Sequence, residues 1–92
     1  MRRIAVLPSF ERSLKQLTTE DKKALGRALE TFNSFALSGR LPYGFRFKKL
    51  GPAQYEFRVD IRLRVLVKEE PGIYYLALVG NHNDVRRYLL NR

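Results

Sequence analysis

His82 is the one histidine of the chain and lies in Gly80-Asn81-His82-Asn83-Asp84, directly after the apolar run Ile73 to Val79. An imidazole at the carboxyl end of a buried strand is placed to give or take a proton near neutral pH. Upstream, Tyr55, Phe57, Val59, Ile61 and Leu63 alternate with Glu56, Arg58, Asp60, Arg62 and Arg64. Read as one unbroken strand, this stretch puts Arg58, Arg62 and Arg64 on a shared face, with Lys48 and Lys49 just before it. Guanidinium groups match phosphate oxygens through paired hydrogen bonds. With a histidine beside them they suit RNA: a 2′-hydroxyl attacks the adjacent phosphate, one oxygen loses a proton, another gains one, and cations offset the charge gathering on phosphorus. Arg86, Arg87 and Tyr88 follow, two charges for phosphates and an aromatic face for a base. Tyr43, Phe45 and Phe47 interleave with Arg46 and Lys48 in the same spirit.

Each of these features also has a plainer reading. Outward strand faces are commonly polar, and arginines near Glu56 and Asp60 can form weak surface pairs with them. A single turn histidine can be exposed or hydrogen-bonded to Asp84. Phe45 and Phe47 can close one end of the core while Tyr43 packs in a loop, and Tyr74 and Tyr75 read as sheet packing. Glu20-Asp21-Lys22-Lys23 is most economically helix capping and solvated surface. No phosphate-binding glycine loop, Ser-His-Asp order or metal motif occurs, which sets those enzyme classes aside.

The elements that must position these residues belong to one domain, residues 1 to 92, because 92 residues leave no room for a second. A chain of this size has a thin core, so any site is built from surface side chains on a rigid frame. The net charge is +9, a field that attracts polyanions such as nucleic acid, the ribosome or an acidic protein. Nine basic and four acidic residues precede the cut after Arg46 and nine and five follow it, so the charge belongs to the folded surface. Without cysteine there is no disulfide and no thiolate nucleophile, and one histidine cannot build a multi-histidine metal site. The cysteine count, the absence of a signal sequence and the lack of an 18-residue apolar stretch together favour a cytoplasmic protein.

Ile4 to Leu7 reads as a short strand stopped by Pro8. Ser9 then caps a helix carrying Phe10, Leu14 and Leu17 on one face. Thr18 and Asp21 resemble a capping box that opens a second helix, whose apolar period runs through Ala36 to a stop at Gly39. The alternating stretch from Tyr55 to about Lys68 is long for one strand and predicts a turn or bulge near Asp60. Glu69-Glu70-Pro71-Gly72 is a turn, Ile73 to Val79 a buried strand, and Asp84 the cap of a short last helix through Leu90. The sum is an α+β domain: an N-terminal strand, an antiparallel helical hairpin packed on an antiparallel sheet, and a short C-terminal helix.

This order resembles the RelE/ParE superfamily of small bacterial toxins from toxin–antitoxin modules, over nearly the whole chain. The resemblance rests on Pro8-Ser9-Phe10 opening the hairpin, Lys49-Leu50 before Tyr55-Glu56-Phe57-Arg58, Ile61 to Val67, and Val79 to Val85. The last segment is similar to the YafQ-like branch of ribosome-dependent messenger endonucleases, in which the matching histidine is catalytic. The resemblance implies the RelE-like fold and a toxin that cuts messenger RNA on the ribosome by 2′-hydroxyl attack, without a metal or cofactor. It implies His82 as general acid or base and Arg62 as stabiliser of the transition-state phosphate. Arg58 matches a catalytic lysine of RelE. Glu56 stands where RelE has another catalytic lysine, and is either a base or a pairing partner of Arg58 or Arg64. Lys48, Lys49, Arg64, Arg86, Arg87 and Tyr88 are implied RNA contacts, although Arg86 stands where RelE has its C-terminal tyrosine. The implied partners are a cognate antitoxin, the ribosome and messenger RNA. The alternative is a non-enzymatic, ParE-like protein that binds DNA gyrase, or a basic binding module with the same fold.

Overall fold

A computed structural model describes residues 1–91. The chain opens with β1 (Arg3–Val6), continues through α1 (Pro8–Leu14) and α2 (Thr19–Ser38), and then forms β2 (Phe47–Gly51), β3 (Gln54–Arg58), β4 (Arg64–Glu70) and β5 (Ile73–Gly80) before α3 (His82–Leu90). The five strands make one sheet in the order β1-β5-β4-β3-β2. β2 to β5 are antiparallel neighbours, whereas β1 runs parallel to β5, so the sheet is mixed and not purely antiparallel.

Pro8 starts α1 because its fixed φ suits a first helical residue and its missing N–H is not needed there. β1 ends at Val6 opposite Leu76, so β5 has no strand on that edge beyond this point. Two serines of α1 take over its bonds: Ser9 Oγ donates to the Ala77 carbonyl at 2.6 Å, and Val79 N–H donates to Ser13 Oγ at 3.0 Å. Buried backbone groups thus stay paired where the ladder stops. Helix α1 is shorter than the apolar spacing predicts, since Leu17 lies beyond its end yet still packs on the core. At the start of α2 the Asp21 N–H donates to Thr18 Oγ1 at 3.1 Å. The helix ends at Gly39, whose φ of 76° is the left-handed conformation that a side chain disfavours.

The core lies between the helical hairpin and one sheet face, and aromatic rings dominate it. Phe32 is completely buried, with its ring 4.8 Å from Phe57, 5.3 Å from Tyr74 and 5.5 Å from Phe47. Phe45 and Phe47 pack against this cluster as expected, but Tyr43 does not pack at all and is fully exposed. On the opposite face, Val85 of α3 is buried on Leu66 and Ala77. Helix α3 covers only part of that face.

Strand β2 went unpredicted. Its five residues carry two lysines and no run of β-branched types, and what makes it a strand is its pairing with β3. The turn near Asp60 is present between Arg58 and Arg64. Asp60 Oδ1 accepts the N–H groups of Arg62 and Leu63, each at 2.8 Å, and Val59 N–H donates to the Leu63 carbonyl at 2.8 Å. Burial pushes the Asp60 carboxyl up, but the Leu63 and Arg62 N–H groups and the Arg62 guanidinium outweigh this and hold it below its ordinary value. A depressed carboxyl stabilises the fold above its unfolded pKa and loses that contribution as pH falls through the folded value. Asp60→Asn is therefore expected to lose less stability than the parent protein between pH 6 and pH 3, read from urea midpoints at each pH.

Candidate functional site

Cross-strand pairing fixes which side chains share the open face. Phe57 lies opposite Val65 and faces the core, so Glu56, Arg58 and Arg64 face the other way. Lys48 is the partner of Glu56 and joins them, whereas Lys49 is the partner of Tyr55 and projects to the opposite face. His82, first residue of α3, closes this side. These residues, with Arg46 and an apolar rim including Leu41 and Phe45, line an open groove of about 750 Å³.

At the groove's floor Glu56 is 8% exposed, a carboxylate almost out of water. Arg64 Nη1 lies 3.5 Å from Glu56 Oε2 and 2.9 Å from His82 Nδ1. One guanidinium therefore links a shielded acid to an exposed imidazole. Because arginine only donates, His82 Nδ1 accepts, and the neutral ring carries its proton on Nε2. Arg58 and Lys48, both exposed, add positive charge without an ion-pair partner among the described residues. The arrangement offers an acid, a base and several phosphate-binding cations within one groove.

Arg62 is not among them. The Asp60 turn breaks the strand before Arg62, which leaves the Arg58 and Arg64 face and reaches α2, donating from Nη2 to Asp21 Oδ1 at 2.8 Å. It lines a separate cavity of about 740 Å³ between the end of α1 and α3. Tyr88 and Arg87 line that same cavity rather than the His82 groove. Arg87 is ion-paired with Asp84, and the Tyr88 ring lies 5.2 Å from Lys68 Nζ. Arg86 is exposed on α3 and lines neither cavity. Arg46, just before β2, is also a groove residue, and its interleaving with Phe45 and Phe47 is the sequence signal for it.

The Gly80 to Asp84 segment has a structural task as well as a chemical one. Helix α3 begins at His82, three residues earlier than an Asp84 cap implies, and its cap is Asn81. Asp84 N–H donates to Asn81 Oδ1 at 2.8 Å while Asn81 N–H donates to Asp84 Oδ2 at 2.9 Å, a complete capping box. Asp84 is thus engaged with the cap and leaves His82 to Arg64. The returning carboxylate passes so close to Gly80 that a Cβ there would sit 2.7 Å from Asp84 Cβ and Oδ2. Gly80→Ala is expected to break the cap and cost about 1–2 kcal/mol, a fall in Tm of roughly 4 °C or more for a domain of this size. Thermal unfolding followed by circular dichroism checks it.

No protein-family model matches the sequence, and no curated protein matches it either. Solved structures do match in fold. A metal-bound toxin from Helicobacter pylori is 18% identical, with a TM-score of 0.72 over 92% of this chain and 99% of that one. A chain of the RelB–RelE antitoxin–toxin complex from Methanococcus jannaschii is 15% identical, with a TM-score of 0.69 over 91% and 96%. The YoeB dimer from Staphylococcus aureus is 20% identical, with a TM-score of 0.67 over 88% and 97%. YafQ of Escherichia coli is also matched, alone and in its complex with DinJ. The chain has the RelE-like toxin fold, a five-stranded mixed sheet with three helices. Among the described residues no helix is long and apolar enough to cross a membrane.

Proposed function

We propose that this protein is the toxin of a toxin–antitoxin pair and cleaves messenger RNA on the ribosome. The observation that carries the proposal is the Glu56–Arg64–His82 chain on the floor of a basic groove. In this reading the 2′-hydroxyl attacks the adjacent phosphorus, the bond to the 5′ oxygen breaks, and the products are a 2′,3′-cyclic phosphate and a 5′-hydroxyl. Glu56 receives the 2′-hydroxyl proton, being the one carboxylate that lines the groove among the described residues. His82 delivers a proton to the leaving 5′ oxygen from its imidazolium form. An incoming phosphodiester supports this step, since it gives the Arg64 guanidinium an anionic acceptor and frees Nδ1 to hold a second proton. Arg64, Arg58 and Lys48 then offset the charge on phosphorus.

Antitoxin binding enters the proposal through the structural neighbours, which include toxins solved with RelB, DinJ and YefM. For a chain of net charge +9 the fitting partner carries an acidic segment that folds onto the basic surface. Calorimetric titration at low salt with the product of the adjacent gene checks this, and no heat at low salt would count against it.

The test of the activity is purified protein added to translating ribosomes with a defined messenger, cut sites being mapped by primer extension. Cuts on ribosomes and none on naked messenger are expected. Intact messenger together with inhibited DNA supercoiling would replace the ribonuclease by a gyrase-binding protein of the same fold.

A further inference from the structure

The His82 groove does not stop at Arg58. Arg58 and Phe45 also line a second depression of about 400 Å³, whose other wall is Arg27 and Thr31 of α2. The two hollows therefore adjoin at Arg58 and the half-buried Phe45, beside the end of β3. Arg62, Arg64 and Arg87 are each tied to a carboxylate, but neither Arg27 nor Arg58 makes an ion pair among the described residues. Asp60 lines the second hollow too, and its charge is already met. Its Oδ1 accepts two backbone N–H groups and its Oδ2 lies 4.0 Å from the Arg62 guanidinium.

We infer that an RNA strand seated in the His82 groove continues over Arg58 and places a neighbouring phosphate between Arg58 and Arg27. RNA flanking the cut thereby adds affinity through α2. This arm rests on the ribonuclease reading. Two guanidinium groups without carboxylate partners, on opposite walls of a shallow trough, suit a phosphate between them, and an aromatic ring beside the track suits a base of any identity. Adjacency to the groove that holds His82 favours a nucleic-acid strand over an acidic peptide as its occupant.

The test is fluorescence anisotropy with two RNAs made uncleavable by 2′-O-methyl groups, of four and twelve nucleotides, titrated from 50 to 200 mM salt. Arg27→Gln is compared with the parent protein and with Arg12→Gln, an exposed cation of α1 outside both hollows. The longer RNA should bind Arg27→Gln roughly 3- to 10-fold more weakly than the parent. The slope of log K against log salt should fall by about 0.7, the value for one single-strand phosphate. The tetranucleotide should bind all three proteins alike, and Arg12→Gln should match the parent throughout. If the parent binds the longer RNA more tightly and Arg27→Gln does so equally well, the α2 arm is wrong while the ribonuclease reading stands. An equal loss with Arg12→Gln would reduce the effect to overall charge and overturn the arm. If the parent binds neither RNA, the α2 arm falls, while the ribonuclease reading is decided by cleavage on the ribosome. A polyglutamate peptide that binds more tightly than RNA with the same dependence on Arg27 would assign the arm to a protein partner instead.

Discussion

On the proposed ribonuclease mechanism, exchanging His82 for glutamine is expected to lower the single-turnover rate of messenger cleavage by about 10²- to 10⁴-fold, the range of a lost general acid or base. The amide keeps hydrogen-bonding capacity but cannot deliver a proton to the leaving oxygen. Because His82 is exposed and its ring is held by one side-chain bond, the substitution leaves stability within about 0.5 kcal/mol, so the loss is chemical. Arg64→Gln costs about 10²- to 10³-fold through the phosphate charge it no longer offsets. The double variant should be little worse than His82→Gln alone, because groups that act as one unit lose their joint effect at the first removal. Quench-flow with end-labelled messenger on stalled ribosomes measures all three. Fully additive losses would mean that the two side chains act independently, against the contact between them.

Phe32→Ala carries the largest expected cost to the fold, about 3–5 kcal/mol. The ring is entirely buried and touches both layers of the core, lying against Phe35 of its own helix, Phe45 before the sheet, Phe47 and Phe57 on neighbouring strands, and Tyr74 on β5. Few of these neighbours can close the void, since the surrounding rings are planar and already seated on one another. For a domain with a total stability of roughly 5–15 kcal/mol this removes a large share. Urea titration followed by circular dichroism should show a midpoint far below the parent's. Phe32→Leu, which keeps much of the volume, should lie between the two. A midpoint for Phe32→Ala within 1 kcal/mol of the parent's, by linear extrapolation, would place the core elsewhere.

Much of this architecture is legible before any coordinates. The hairpin follows from the apolar period of α2 between Thr18 and Gly39, and β4 and β5 from alternation and an unbroken apolar run. The limits of local reading show at three places. β2 is invisible because Phe47 to Gly51 is made a strand by β3 and not by its own composition. The parallel docking of β1 on β5 depends on a pairing 70 residues apart, Arg3 with Ile73, which no local pattern encodes. A period of two groups Arg62 with Arg58 and Arg64, but the Asp60 turn interrupts that period. The length of the alternating stretch already predicts the turn near Asp60, and residues after a turn need not keep the parity of those before it. Alternation puts Glu56, Arg58 and Arg64 on one face, and the pairing of β3 with β4 keeps them there. His82 is added by the tertiary fold, through a contact spanning 18 residues with Arg64.

The central claim is that chemistry belongs to the Glu56–Arg64–His82 groove and not to the cavity that holds Arg62. The most direct measurement is the single-turnover rate of ribosomal messenger cleavage for Arg62→Gln beside Arg64→Gln, both first shown to be folded by circular dichroism. Arg62→Gln should cut within about threefold of the parent rate, because its guanidinium only ties a turn to α2, while Arg64→Gln should lose about 10²-fold or more. The reverse order, with cleavage lost on removing Arg62 and kept on removing Arg64, would contradict the account and move the active site to the other side of α3.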